Sequence, residues 1–271
     1  MTGDIFDLKD KVVVVTGGLG QLGRQFAVVL AQRKAKVAVL DVKREALAEE
    51  RFSNYIKSGD FLYVQADVTK RGSLKKAMQK INKALGFPYG LINNAAFDSP
   101  PGSSVEASYR FEDFPEAAWD KIVDVNLKGV FLCCQVFGSE MAKQGLGSII
   151  NISSIYGLVS PDQRIYEYRA KSGKEFYKPV SYSVTKSGLL NLTRYLATYW
   201  ADKGVRVNTL TLGGVFNNQD KRFLKGYSSR VPLGRMARED EYNGAVIFLL
   251  SGASSYMTGS NLIIDGGWTA W

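Results

Sequence analysis

Tyr182 and Lys186 stand four residues apart in SYSVTK, a spacing that puts a phenol and an ammonium on one face of a helix. Such a pair suits proton transfer. A phenol has a pKa of about 10, and lowering it by about three units takes ~4 kcal/mol of preferential stabilisation of the phenolate. A neighbouring ammonium in a desolvated cleft can supply part of that. The chain has 271 residues and no histidine, so the commonest side chain for acid–base work near neutral pH is absent. One other pair, Tyr199 and Lys203, has the same spacing. Context separates the two. Tyr182 follows a proline-containing loop and starts a helix, whereas Tyr199 and Lys203 fall near that helix's end, just before a strand.

The elements that must position these residues alternate along the chain. Apolar, β-branched runs at 11–18, 36–42, 61–68, 90–96, 147–154, 205–212 and 261–267 read as strands. Stretches at 21–34, 44–57 and 73–85 read as amphipathic helices, and the apolar segments near 119–143 and 182–203 as further helices. Continuous apolar strands separated by helices predict a parallel sheet covered on both faces. One uninterrupted series of such units predicts a single α/β, doubly wound domain over 1–271, with ligands at the carboxyl edge of the sheet, where Tyr182 and Lys186 would lie.

The first strand runs into Thr16-Gly17-Gly18-Leu19-Gly20-Gln21-Leu22-Gly23, and a helix follows. Gly18, Gly20 and Gly23 match G-x-G-x-x-G at the strand-to-helix junction, where a backbone can approach a pyrophosphate and a helix dipole favours its charge. A turn that merely needs glycine is the plainer alternative. Asp41 ends the second strand 23 residues after Gly18, near the spacing for a carboxylate that binds the adenosine ribose. A carboxylate there repels a 2′-phosphate, so NAD is expected over NADP, although Lys43 and Arg44 stand close by. Asp41 could also be a simple strand-end residue. Asp67, at the end of the third strand, could accept a hydrogen bond from the adenine amino group or cap the next helix.

With these motifs in order, the sequence resembles the short-chain dehydrogenase/reductase family from about residue 8 to 267. The resemblance rests on Thr16-Gly17…Gly20…Gly23, Asp67, Asn93-Asn94-Ala95-Ala96, Asn126 in DVNLKG, Ser154 in NISS, Tyr182…Lys186 and the terminal IDGG. It implies a Rossmann-type doubly wound sheet of seven parallel strands, NAD(P)-linked hydride transfer, and assembly as a homo-dimer or homo-tetramer. It implies a catalytic tetrad of Asn126, Ser154, Tyr182 and Lys186, with Ser154 chosen over Ser153 because it directly precedes the Ile155-Tyr156-Gly157 turn. Tyr182 would take the proton, and Ser154 would hold the substrate oxygen. Lys186 would also bind the nicotinamide ribose, and Asn126 would hold a water joining Lys186 to solvent. In the glycine loop the implied cofactor residues are Gly17, Gly18, Gly20, Gln21, Leu22 and Gly23. Asp41, Asp67, Val68, Asn94, Ala95 and Ala96 follow, then Tyr182, Lys186, Gly213 and Val215. No metal is expected. The chain departs from the family's common pattern at Gly20-Gln21, Ala96, Leu212-Gly213 and Asn217, which bears on cofactor geometry more than on fold.

The net charge is +9. Segment 161–180 carries five Lys/Arg against three Asp/Glu, and segment 217–238 six against one, so these two hold seven of the nine. The gap of 28 residues between Ser154 and Tyr182 is longer than the resemblance implies, which marks 161–180 as an insertion. A further insertion is expected near 97–118, and 217–238 is the expected substrate cover. Cations interleaved with aromatics suit an anion carrying a flat ring. The expected substrate is therefore a nucleotide-activated sugar, with Arg164, Tyr166, Tyr168 and Asn217 as its candidate ligands. A weaker likeness to bacterial sugar-pathway members linked to surface-glycan and flagellin modification points the same way. The alternatives are a neutral polyol, a sugar acid or another small alcohol, or a dinucleotide-binding regulator without turnover.

Charge alone could also mean nucleic acid, but no motif supports that, and no nucleic-acid partner is expected. The acidic N-terminus is unlike a secretory signal, and no run of about 18 apolar residues suggests a membrane span. Cys133 and Cys134 are adjacent and cannot form an ordinary bridge, which suits a reducing cytoplasm. The two C-terminal tryptophans could line a subunit interface or be buried in the core.

Overall fold

A computed structural model describes residues 4–98, 109–172 and 175–271. Residues 99–108 of the insertion expected near 97–118, and Lys174, lie outside the described residues. Seven strands form one parallel sheet in the order β3-β2-β1-β4-β5-β6-β7. They are β1 (Val12–Thr16), β2 (Lys36–Asp41), β3 (Phe61–Gln65), β4 (Pro88–Asn93), β5 (Gly147–Ser154), β6 (Val205–Leu212) and β7 (Asn261–Ile264). Between them run α1 (Gln21–Gln32), α2 (Glu45–Ile56), α3 (Arg71–Ala84), α4 (Glu116–Gln144), α5 (Val180–Tyr199), α6 (Lys221–Ser228) and α7 (Asn243–Leu250).

Side chains alternate across the sheet, as the strand period requires. Val12 and Val14 join a core with Leu74, Ile81, Phe137 and Leu189, whereas Val13 and Val15 join one with Phe26, Leu30, Tyr242 and Val246. Both faces are thus covered, and this explains why the strands read as unbroken apolar runs. The strands are shorter than those runs. β1 stops at Thr16 because Gly17 turns at φ +62, and a Cβ there would come within 2.7 Å of the Ala95 backbone.

Strand order reverses between β1 and β4. Beyond their carboxyl ends lies the crevice where this architecture binds ligands. Asn94 braces its floor, with its side chain donating to the Thr16 and Gly17 carbonyls at 3.0 and 3.1 Å. The amides of Asn94 and Ala95 both reach the Thr16 hydroxyl at 3.1 Å. α4 is the one described helix long and apolar enough to cross a membrane. Its apolar face, with Val130, Cys133, Phe137 and Met141, belongs to the sheet-packed core.

α5 begins directly after Pro179 and is joined to the sheet by a buried polar chain. Asn93 donates to Asn151 at 2.8 Å, Asn151 to Thr193 at 2.9 Å, and Thr209 to Thr193 at 2.7 Å. This fixes the helix that carries Tyr182 and Lys186. Tyr199 closes α5 and Lys203 lies in the separate turn Ala201–Lys203, so the rival pair shares no helix. A third core, of Ile155, Tyr156, Ile165, Tyr166, Phe176, Phe223, Tyr227 and Trp268, covers the cleft. Trp268 is buried in it, stacked on Tyr227 at 4.5 Å, whereas Trp271 is exposed.

Candidate active site

The carboxyl edge of the sheet opens into a cleft of about 820 Å³. Ser154, at the end of β5, and Tyr182 and Lys186, on the first turns of α5, all line it. Ser154 accepts from the Tyr156 amide at 3.2 Å, and a hydrogen bond joins its hydroxyl to the Tyr182 phenol. Ser153 also lines the cleft but donates instead to the Lys186 carbonyl at 2.8 Å. Lys186 is buried, donates to the Ile152 carbonyl at 2.7 Å, and holds its ammonium 5.9 Å from the Tyr182 ring centre.

Burial pushes the Tyr182 phenol far above its ordinary range; the Asp98 carboxylate adds to that rise, and Ser154 opposes it. Burial pushes the Lys186 ammonium down to about 8, with Asp98 holding it up and Lys178 pressing it further down. In the protein alone, desolvation of the phenolate is thus the largest influence on Tyr182.

Asn126 does not line the cleft. A widened helical turn, Asp124–Lys128, carries it fully buried. Its Oδ1 accepts from the Phe97 amide at 2.7 Å, and its Nδ2 donates to the Phe97 carbonyl at 2.9 Å. Its side chain thus pins the chain leaving β4, and its Nδ2 also lies 3.5 Å from the Thr185 hydroxyl, on the helix that carries Lys186.

The cofactor end fits a dinucleotide. A Cβ on Gly20 would meet only the Gly17 carbonyl, at 3.2 Å, so the loop's outer face is open. No side chain caps the N-terminus of α1, which leaves its first amides for a pyrophosphate. Gly17, Gly20, Gln21, Leu22, Asp41, Asp67, Val68, Asn94, Ala95, Ala96, Gly213 and Val215 all line the cleft. Gly18 and Gly23 do not. A Cβ on Gly18 would meet Val39 at 2.5 Å, and one on Gly23 the Gly17 carbonyl at 2.3 Å, so both are packing glycines behind the loop. Asp41 accepts from the Leu19 amide at 3.0 Å and the Lys43 amide at 3.2 Å. Asp67 accepts from Thr69 and pairs with Lys70 rather than capping α3 by its side chain. Gln21, unusual at its position, donates to the Phe216 carbonyl at 2.9 Å and links the glycine loop to the segment after β6.

The structure separates the four candidate substrate ligands. Arg164 is exposed, held by Asp162 at 2.8 Å, and lies outside the cleft lining. Tyr168 also lies outside it, with the Arg222 guanidinium 4.9 Å from its ring. Arg222, Arg230, Arg235 and Arg238 pair with Asp220, Asp162, Glu241 and Asp240, respectively. These four arginines are thus held in ion pairs outside the cleft lining. Tyr166 and Asn217 do line the cleft, Tyr166 as a buried wall with its hydroxyl 3.3 Å from that of Tyr156. Sequence reasoning missed Asp98 and Lys178. Both line the cleft beside Tyr182, they form an ion pair, and the Lys178 ammonium is 4.4 Å from the Tyr182 ring centre. Only the position of Lys178, four residues before Tyr182, could have marked it.

Residues 20–269 match the family described as Enoyl-(Acyl carrier protein) reductase. The chain belongs to the short-chain dehydrogenase/reductase family. As a short-chain dehydrogenase/reductase, it is an NAD(P)-dependent oxidoreductase that moves hydride between a nicotinamide and an alcohol or ketone. It is 31% identical to an NAD-dependent glycerol dehydrogenase of Listeria innocua, over 97% of this chain and 96% of that one. A short-chain dehydrogenase of Leptospira borgpetersenii with bound NAD+ superposes with a TM-score of 0.85 at 34% identity, covering 99% and 96% of the two chains. A gluconate 5-dehydrogenase of Burkholderia cenocepacia in complex with NADP and tartrate gives 0.85 at 26% identity, covering 99% and 98%.

Proposed function

We propose that this short-chain dehydrogenase/reductase uses NAD to oxidise the secondary carbinol of a neutral, polyhydroxylated small molecule, or to reduce the matching ketone. The observation that carries the neutral-substrate reading is the charge at the cleft. Arg164, Arg222, Arg230, Arg235 and Arg238 pair with carboxylates outside the cleft lining, and Lys178, at the substrate end, is matched by Asp98. The name of the glycerol dehydrogenase relative points the same way. Asp41, at the ribose end of the cleft, supports NAD over NADP.

A bound nicotinamide supplies the hydride acceptor. Ser154 holds the substrate oxygen with its hydroxyl, and Tyr182 takes the proton from that oxygen as the carbon is oxidised. Lys186 keeps a positive charge behind the phenol below about pH 8, where its ammonium persists. Asn126 fixes Phe97 and so the wall from which Asp98 projects. The glycine loop and the α1 N-terminus receive the pyrophosphate.

Exposed aromatic side chains on α4 and α5, namely Phe131, Tyr195 and Tyr199, support homo-oligomeric assembly. The buried free thiols of Cys133 and Cys134 support a cytoplasmic setting. The test of function is a panel of polyols, sugar acids and nucleotide sugars with NAD and NADP, read by nicotinamide absorbance. Turnover of a neutral polyol is expected; saturable turnover of nucleotide sugars alone contradicts the reading.

A further inference from the structure

We propose that Asp98 and Lys178 form a substrate-reading pair that selects alcohols bearing a second hydroxyl beside the carbinol. This rests on the functional reading above and specifies the substrate end of that site.

The two residues come from different loops, 80 positions apart, and meet at the substrate end of the cleft. The Lys178 side chain is 6% exposed, and its position is set from both sides. Gln163 accepts from the Lys178 amide at 2.9 Å and donates to its carbonyl at 3.3 Å. The ammonium lies 4.4 Å from the centre of the ring whose hydroxyl must meet the carbinol. The Asp98 side chain is 48% exposed and turns its carboxylate into the same cavity. Its charge reaches the reacting groups, since it raises both the Tyr182 phenol and the Lys186 ammonium.

A buried ammonium beside a cleft has a cost that pairing offsets, and a purely structural pair would not need to face the cavity. The pair's chemistry defines its ligand. A hydroxyl both donates and accepts, so one hydroxyl can accept from Lys178 and donate to Asp98. A carboxylate or phosphate cannot donate, and it would be repelled by Asp98. A carbinol held by Ser154 and Tyr182 places the hydroxyl on its neighbouring carbon toward this pair. Without that hydroxyl, both charged groups must be desolvated by the substrate with nothing returned, which penalises the simple alcohol.

The test compares cyclohexane-1,2-diol with cyclohexanol, which differ by one hydroxyl, in wild type, Lys178→Met and Asp98→Asn with saturating NAD. Quenching of tryptophan fluorescence by NADH confirms that each variant is folded. The wild type is expected to favour the diol in kcat/KM, and either variant to lower the diol-to-monoalcohol ratio by about 10–100-fold. A purely structural role would depress both substrates together and leave the ratio unchanged, which overturns the proposal. Asp98→Asn, a nearly isosteric change at a half-exposed site, carries the test if Lys178→Met does not fold. Turnover of both alcohols without preference in the wild type overturns this inference and leaves the functional reading standing. Turnover of neither, with either nucleotide, while the wider panel of polyols is also inert, overturns both.

Discussion

The Asp41 carboxylate accepts a hydrogen bond from the Leu19 amide at 3.0 Å, joining the end of β2 to the glycine loop after β1. One residue thus shapes the loop proposed to receive the pyrophosphate and lines the cleft where the ribose is proposed to bind. Changing Asp41→Ser removes the charge that opposes a 2′-phosphate and shortens the brace. The ratio of kcat/KM for NADP to that for NAD should rise about tenfold or more, while affinity for NAD falls. Steady-state kinetics with both nucleotides measure this; an unchanged ratio would remove Asp41 from cofactor choice.

Gly17 adopts φ +62 with its Cα face against Ala95. Gly17→Ala adds backbone strain and a contact at 2.7 Å with main-chain atoms that have little room to move. A loss of about 1–3 kcal/mol is expected in chemical denaturation, with weaker NAD binding. Gly20→Ala, whose Cβ would meet only the Gly17 carbonyl at 3.2 Å and which keeps an ordinary φ, should be milder in stability and is the control.

Much of this was legible in the sequence, for reasons that are local. Val12 to Val15 are apolar at every position because both sheet faces are covered, and the run announces a parallel strand. The Tyr182–Lys186 spacing is a property of one helix, and Gly17 is demanded by one turn. What could not be read were pairings across the fold. Lys178 and Asp98 are ordinary charged residues in two loops until topology brings them together. The arginines looked like an anion site because their partners Asp162 and Glu241 are set by tertiary contacts and capping turns, which a tally of charge by segment does not see.

Asp98 raises the Tyr182 phenol and the Lys186 ammonium alike. Removing its negative charge makes phenolate easier to form and ammonium harder to keep, so both pKa values fall. In Asp98→Asn, the rise of kcat/KM with pH during alcohol oxidation should move to lower pH. A shift to higher pH would contradict the electrostatic coupling.

Lys186 is lowered from 10.5 to about 8 in the folded chain. Between those values the unfolded chain binds more protons than the folded one, so this group's contribution to stability grows as pH rises. The stability difference between wild type and Lys186→Met should therefore move in favour of the wild type by about 3 kcal/mol from pH 8 to 10.5. Urea denaturation of both proteins across that range checks it. A difference that stays constant would mean that Lys186 titrates normally.

The most direct test of the account is Tyr182→Phe, which deletes one oxygen and keeps the ring beside Lys178 and Lys186. Turnover of a neutral polyol with NAD, followed by nicotinamide absorbance, should fall at least about 10²–10⁴-fold, while NADH binding by fluorescence is retained. A variant that keeps wild-type turnover would contradict the assignment of Tyr182 as the group that takes the proton.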